Sequence, residues 1–224
     1  MSVSQQIIFF TEIIGTIAFA FSGATVAIRR RMDIFGVLVL GGCTAVGGGL
    51  IRDLILGNIP PSMFRKPVYV AVSAITSLAV FILIRRNNHL LEEEGSQRFL
   101  RFIELMDAIG LGAFTVVGVN TAVELGYENN SFLMVFVAVL TGAGGGILRD
   151  VLGGITPIVL RKRVYALASI AGAIVHLMLM KPLGSLAMFA GAGVVVLIRF
   201  LAAQYRWDLP VAIPKHSSTG TCRL

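Results

Sequence analysis

Apolar residues run along this chain in stretches long enough to cross a bilayer, and polar residues gather in the short gaps between them. Seven stretches approach or exceed the roughly 20 residues a spanning helix needs. They lie near 5–28, 34–56, 67–84, 102–124, 131–152, 164–180 and 184–203, the third and sixth being the shortest. They predict an all-α membrane protein with seven transmembrane helices. A polar linker from Arg85 to Arg101, containing Glu92-Glu93-Glu94, separates the third run from the fourth. Beyond Tyr205 the chain turns polar, with Pro210, Pro214 and a Ser/Thr/Gly stretch. Such a segment lacks the apolar surface to offset its ordering entropy, so 206–224 is expected to be a disordered tail.

Two of the runs carry the same interruption. Gly47-Gly48-Gly49-Leu50-Ile51-Arg52-Asp53 lies near the end of the second, followed by Gly57 and Pro60. Gly144-Gly145-Gly146-Ile147-Leu148-Arg149-Asp150 lies near the end of the fifth, followed by Gly154 and Pro157. Consecutive glycines weaken a helix, and charges at membrane depth are costly unless paired or beside a polar cavity. The correspondence extends further. Glu12, Gly15, Phe19 and Gly23 match Asp107, Gly110, Phe114 and Gly118, shifted by 95; Arg65-Lys66 and Tyr69 match Arg161-Lys162 and Tyr165, shifted by 96. Spans 1–3 therefore repeat as spans 4–6. Three is odd, so the second copy enters from the opposite side, giving an inverted 3+3 repeat plus a seventh helix. The expected units are 1–100 (first repeat with linker), 101–182 (second repeat), 183–205 (seventh helix) and 206–224 (tail).

Charge sets the orientation. With seven spans, thirteen basic residues fall on the side of the C-terminus and three, Arg65, Lys66 and Lys181, on the other. The excess of Lys and Arg marks the cytoplasmic face. The N-terminus is expected outside and the C-terminus in the cytoplasm. The composition agrees: 56% of residues are hydrophobic, 14% charged, and mean hydropathy is +0.84. The net charge of +7 sits in short clusters between apolar runs, which is orientation rather than a nucleic-acid footprint. The first run has no basic region before it and no small-residue cleavage pattern after it, so it is read as a retained helix. Cys43 and Cys222 are read as free thiols.

Two readings of the glycines follow. In one, the helices break at Gly47–Gly49 and Gly144–Gly146, and carbonyls of Thr44–Gly47 and Thr141–Gly144 turn toward a cation, with the Thr44 and Thr141 hydroxyls beside them. In the other, the glycines let helices approach closely, in the small-xxx-small manner of Gly42, Ala45 and Gly49. The two are compatible. Arg52 and Asp53 are adjacent and so are not expected to face each other on a helix. One reading pairs Arg52 with Asp150, or Arg149 with Asp53, across the pseudo-two-fold; the other has the arginines snorkel to the headgroups, while the short aspartates are expected to be buried. Glu12 and Asp107 lie near the starts of their spans, where interfacial exposure is expected. Ser22, Thr115 and Asn120 are candidate polar groups along a pore, Asn120 being the most informative since single hydroxyls usually bond their own helix. His176 is read as a packing residue. No hydrolase, kinase or dinucleotide motif is present and no cluster has metal-ligand spacing, so an enzyme is not expected and no cofactor is called for.

The doubled Gly-Gly-Gly-x-x-Arg-Asp motif, the 3+3 repeat and the seventh helix resemble the prokaryotic trimeric intracellular cation channels. That family overlaps with bacterial membrane proteins described as uncharacterised or as glycine transporters. The resemblance covers residues 5 to about 203. It implies a homotrimer in the lipid bilayer of a bacterial or archaeal plasma membrane, with one pore per protomer between the repeats, kinked in helices 2 and 5 and conducting monovalent cations, potassium or sodium, mainly potassium. Residues 137–148 hold no lysine, unlike the lysine-bearing motif of the animal members. The alternative is a secondary transporter of a small solute such as glycine, which the same inverted repeat would serve.

Overall fold

The computed structural model describes residues 3–87, 93–161, 164–205 and 207. The expected tail lies outside them apart from Trp207. The described elements are α1 (Val3–Arg29), α2 (Ile34–Ile55), α3 (Ser62–Arg65), α4 (Val68–Arg86), α5 (Glu93–Glu124), α6 (Ser131–Leu152), α7 (Ile158–Arg161), α8 (Val164–Leu183) and α9 (Ala187–Tyr205). A 3-10 turn, Gly184–Leu186, joins the last two. Among the described residues, six stretches are long and apolar enough to cross a membrane. The last of these is 42 residues, Val164–Tyr205, and it contains both α8 and α9. Gly184 takes a positive φ of 53° there, and α9 then packs along α8.

Local chemistry fixes the helix ends. The Asp33 side chain accepts a hydrogen bond from the Gly36 amide at 2.7 Å and starts α2; Asn130 accepts from the Leu133 amide at 3.0 Å and starts α6. Both helices stop in the same way. Gly57 (φ +69°) and Gly154 (φ +65°) adopt the left-handed conformation that favours glycine. The next amides, Asn58 and Ile155, return to the carbonyls of Asp53 and Asp150, each at 2.8 Å. A short helix follows in both places, α3 and α7.

The helices form two triplets. α1, α2 and α4 pack together, as do α5, α6 and α8. Contacts of α1 with α5 and of α2 with α6 join the triplets, and α9 covers α8 and α5. Small residues pack the interior: Ala18, Ala20, Ala24, Ala113, Ala138 and Ala143 are all buried. Large apolar side chains such as Phe35, Ile75, Phe132 and Met178 point outward, as a lipid-facing surface requires.

Two expectations are corrected. The linker is shorter than 85–101: α5 already begins at Glu93, because Glu, Gln and Arg are good helix formers and extend the turn pattern outward. The glycine runs do not break their helices. α2 and α6 are continuous α-helix through Gly47–Gly49 and Gly144–Gly146. Intact helix keeps every backbone group paired where no water is present, and close packing offsets the weak propensity of glycine.

Candidate functional site

The two glycine runs meet. A Cβ placed on Gly48 would lie 2.2 Å from the Thr141 carbonyl oxygen, and one on Gly145 would lie 2.2 Å from the Thr44 carbonyl oxygen. Both are far inside contact distance, so α2 and α6 cross backbone to backbone. Gly144 faces the Gly48 Cα, at 3.2 Å from such a Cβ, and Gly47 faces Leu148 at 2.3 Å. The threonine hydroxyls turn back onto their own helices. Thr44 donates to the Leu40 carbonyl and Thr141 to the Val137 carbonyl, both at 2.6 Å within their own helices. Phe19 and Phe114 flank the crossing with ring centroids 5.3 Å apart.

The arginines and aspartates beyond the crossing are buried. Arg52 is 3% exposed and Arg149 2%, which excludes snorkelling in this structure. The expected cross-pairing is also corrected. Arg52 Nε reaches Asp53 Oδ1 at 2.9 Å, and Arg149 Nε reaches Asp150 Oδ1 at 2.8 Å. A long arginine can fold back on its neighbour because the aspartate is itself turned past the helix end. Asp53 Oδ2 accepts from the Ser62 amide at 2.6 Å and Asp150 Oδ2 from the Ile158 amide at 2.7 Å, at the starts of α3 and α7. Each carboxylate thus ties an arginine to the short helix that follows.

Around this shared core the two halves differ. In the first, the Tyr69 hydroxyl donates to Glu12. Glu12, Thr16, Gly49, Arg52 and Tyr69 line a small cavity of about 30 Å³, room for a water. Glu12, Arg52 and Ser62 also line a vestibule of about 530 Å³, together with Arg65, Lys66 and Glu124. In the second half, Asp107 stands where Glu12 stands in the first. It is 2% exposed, which corrects its expected place at the interface. Arg149 Nη1 donates to Asp107 Oδ1 and to Ser22 Oγ, both at 2.6 Å. Ser22 belongs to α1, so this bond bridges the halves. Arg199 of α9 adds a contact to Asp107 Oδ2 at 3.5 Å, with its guanidinium carbon 4.6 Å from the centre of the Tyr165 ring. The Tyr165 hydroxyl, Arg149 Nη2 and Arg199 Nε are buried without hydrogen-bond partners among the described residues.

The other candidate polar residues are spread out. Thr115 bonds the Leu111 carbonyl and the Ser169 hydroxyl, each at 2.7 Å. The Asn120 amide donates to the Val116 carbonyl of its own helix at 3.0 Å. The network therefore draws on Asp107, Tyr69, Tyr165 and Arg199 as well as on the repeated motif. The Glu12/Asp107 and Tyr69/Tyr165 correspondences were visible signals for the first three. Arg199 had only its position as a lone arginine in an apolar run.

This is the fold of the TRIC cation channels. A structure of these channels matches 92% of this chain and 97% of its own, at 33% identity and a TM-score of 0.78. The trimeric intracellular cation channel orthologue from Rhodobacter sphaeroides matches 89% of this chain and 98% of its own, at 33% identity and a TM-score of 0.80. A prokaryotic TRIC channel in 0.5 M KCl reaches a TM-score of 0.82 at 31% identity, over 92% of this chain and all of its own. In sequence, the family described as Glycine transporter matches twice, over residues 9–85 and 104–181, and the chain belongs to it. Relatives include the UPF0126 inner membrane protein YadS of Escherichia coli K12, 39% identical over 165 residues (74% of this chain, 75% of YadS). A UPF0126 membrane protein of Vibrio cholerae is 37% identical over 211 residues (93% and 84%). YvgT of Bacillus subtilis is 38% identical over 199 residues (89% and 93%).

Proposed function

We propose that this membrane protein is a passive channel for a monovalent cation, potassium or sodium, with one conduction path per protomer between its two halves. The observation that carries the reading is the fold: three TRIC channel structures match about nine-tenths of the chain at 31–33% identity. The site is compatible with it. A polar vestibule leads past Glu12 and Arg52 toward the helix crossing. On this reading Gly47–Gly49 and Gly144–Gly146, with Thr44 and Thr141, form the neck of the path. Carbonyls of Thr44–Gly47 and Thr141–Gly144 meet the ion when α2 and α6 part. Arg52, Asp53, Arg149 and Asp150 anchor the two ends of the neck, with Ser22, Thr115 and Asn120 as further polar groups along it. The chain crosses the membrane seven times, as an inverted repeat of 1–100 and 101–182 followed by α9. Its N-terminus is outside, its C-terminus cytoplasmic, and three copies assemble in the plasma membrane.

A second reading, a secondary transporter of glycine, is favoured by one observation: the family description applies to both halves. Proteoliposomes separate the two. The channel reading expects potassium flux that rises linearly with gradient and no accumulation of labelled glycine. Saturable glycine uptake coupled to an ion gradient would replace it.

A further inference from the structure

Arg199 is held less firmly than its burial requires. It is 7% exposed, yet its contact with Asp107 is 3.5 Å long and its Nε has no partner among the described residues. Buried guanidinium groups ordinarily satisfy their donors with carboxylates or carbonyls, because an unmade bond away from water costs the full desolvation. Arg149 shows what a firm hold looks like in the same cluster, with three bonds between 2.6 and 2.8 Å. Arg199 also has somewhere to go. It lines a groove of about 640 Å³ between α5 and α9, together with Arg101, Phe102, Leu105, Phe200 and Gln204.

The first half shows the same place without this arginine. Glu12, Tyr69, Arg52 and Asp53 occupy the corresponding positions, no counterpart of α9 covers them among the described residues, and a cavity and a vestibule adjoin them. In the second half none of Asp107, Arg149 and Asp150 lines any of the three cavities described. Formal charge follows the same division. Asp107 and Asp150 balance Arg149 and Arg199, so the closed cluster is neutral. Without the Arg199 guanidinium it carries one net negative charge in a low-dielectric interior, where a bare carboxylate attracts a cation strongly. Arg149 occupies Asp107 Oδ1, so Oδ2, the oxygen that Arg199 approaches, is the one released. The face of the Tyr165 ring beside it also favours a cation.

We infer that Arg199 is a tethered cation seated in a monovalent-cation site at Asp107, and that its withdrawal into the α5–α9 groove opens that site to a permeant ion. The inference rests on the cation-channel reading for its effect on flux, but not for the site itself. The test compares wild type, Arg199→Gln and the double variant Asp107→Asn/Arg199→Gln. Potassium flux per folded protein in proteoliposomes is expected to rise about tenfold in R199Q, the lower end of what focusing by a charged cleft achieves. It should return to the wild-type level or below in the double variant. Independently of conduction, the melting temperature of R199Q should rise in potassium chloride relative to N-methyl-D-glucamine chloride at equal ionic strength. Wild type and the double variant should show no such difference. Wild-type flux in R199Q, without a potassium-specific melting shift, overturns the inference while leaving the channel reading in place. A potassium-specific shift in R199Q without flux from any variant supports the site and removes the channel reading. Should R199Q fail to fold, Arg199→Lys takes its place. It keeps the charge on a stem without the planar fork that reaches Asp107 and stacks on Tyr165. Raised flux in R199K supports the inference; unchanged flux overturns it.

Discussion

The two halves of this protein carry the same motif in different surroundings. Each has an arginine folded onto the aspartate that follows it, and each aspartate holds the first amide of a short helix at 2.6–2.7 Å. Around Arg52 there is a cavity and an open vestibule; around Arg149 there is packed protein. Two small differences account for this. Glu12 is one methylene longer than Asp107, so it reaches the Tyr69 hydroxyl, whereas Asp107 turns to arginines and leaves the Tyr165 hydroxyl unpartnered. The second half also has α9, which delivers Arg199 to the cluster. A repeated motif thus fixes a local hydrogen-bonding unit. The side chains and helices around it decide whether that unit faces water.

The sharpest way to break the comparison is to remove each arginine. Arg149→Ala removes the close ion pair of both Asp107 and Asp150, leaving them the 3.5 Å contact with Arg199 and the Ile158 amide, away from the cavities described, and breaking a buried pair in this way costs about 3–5 kcal/mol. Arg52→Ala removes the ion-pair partner of Asp53, but Asp53 keeps the Ser62 amide and lines the small cavity, so about 1–3 kcal/mol is expected. Thermal melts of the purified variants in one detergent compare the two. Equal losses would mean that the halves are electrostatically equivalent.

Glycine substitutions come next and sharpen the picture of the crossing. Gly48→Ala and Gly145→Ala each push a methyl group into a carbonyl oxygen on the facing helix, and overpacking of this kind costs about 1–3 kcal/mol. Gly49→Ala meets only Arg52, at 3.7 Å, so the gain in helix propensity, about 0.8–1 kcal/mol, should dominate. Gly146→Ala is tighter, with the Tyr165 hydroxyl 3.0 Å from the new methyl group, and should fall between them. The same melts rank the four variants. A neutral Gly48→Ala would show that the helices stand further apart.

The smallest effect concerns the tyrosines. Tyr69→Phe removes the bond to Glu12 and should destabilise by about 1 kcal/mol. Tyr165→Phe removes a buried hydroxyl without a partner and should be neutral or slightly stabilising. Destabilisation by Tyr165→Phe equal to that of Tyr69→Phe would show that the second hydroxyl does have a partner.

Much of this architecture was legible in the chain. Apolar runs located the long helices to within a few residues, except at the start of α5, and the spacing of the glycines and charges placed both motifs at helix ends. What was not legible depends on packing. Consecutive glycines weaken an isolated helix, but nothing along the chain says that Gly48 and Gly145 face each other and support both helices. Adjacent residues do not face each other on a helix, but a long arginine beside an aspartate at the helix terminus escapes that rule. Asp107 lies near the start of an apolar run, yet α5 extends outward to Glu93, and α9 covers the carboxylate. The partner for Asp107 comes from position 199, and no local pattern signals a contact across that separation.

Planar bilayer recording detects cation conduction without a label. Purified protein, fused into a bilayer with potassium chloride more concentrated on one side, should give discrete current steps. Their reversal potential should approach the potassium equilibrium potential and stay unchanged when glycine is added to either chamber. An electrically silent bilayer, with the same preparation accumulating labelled glycine in vesicles, would make the protein a glycine transporter and not a channel.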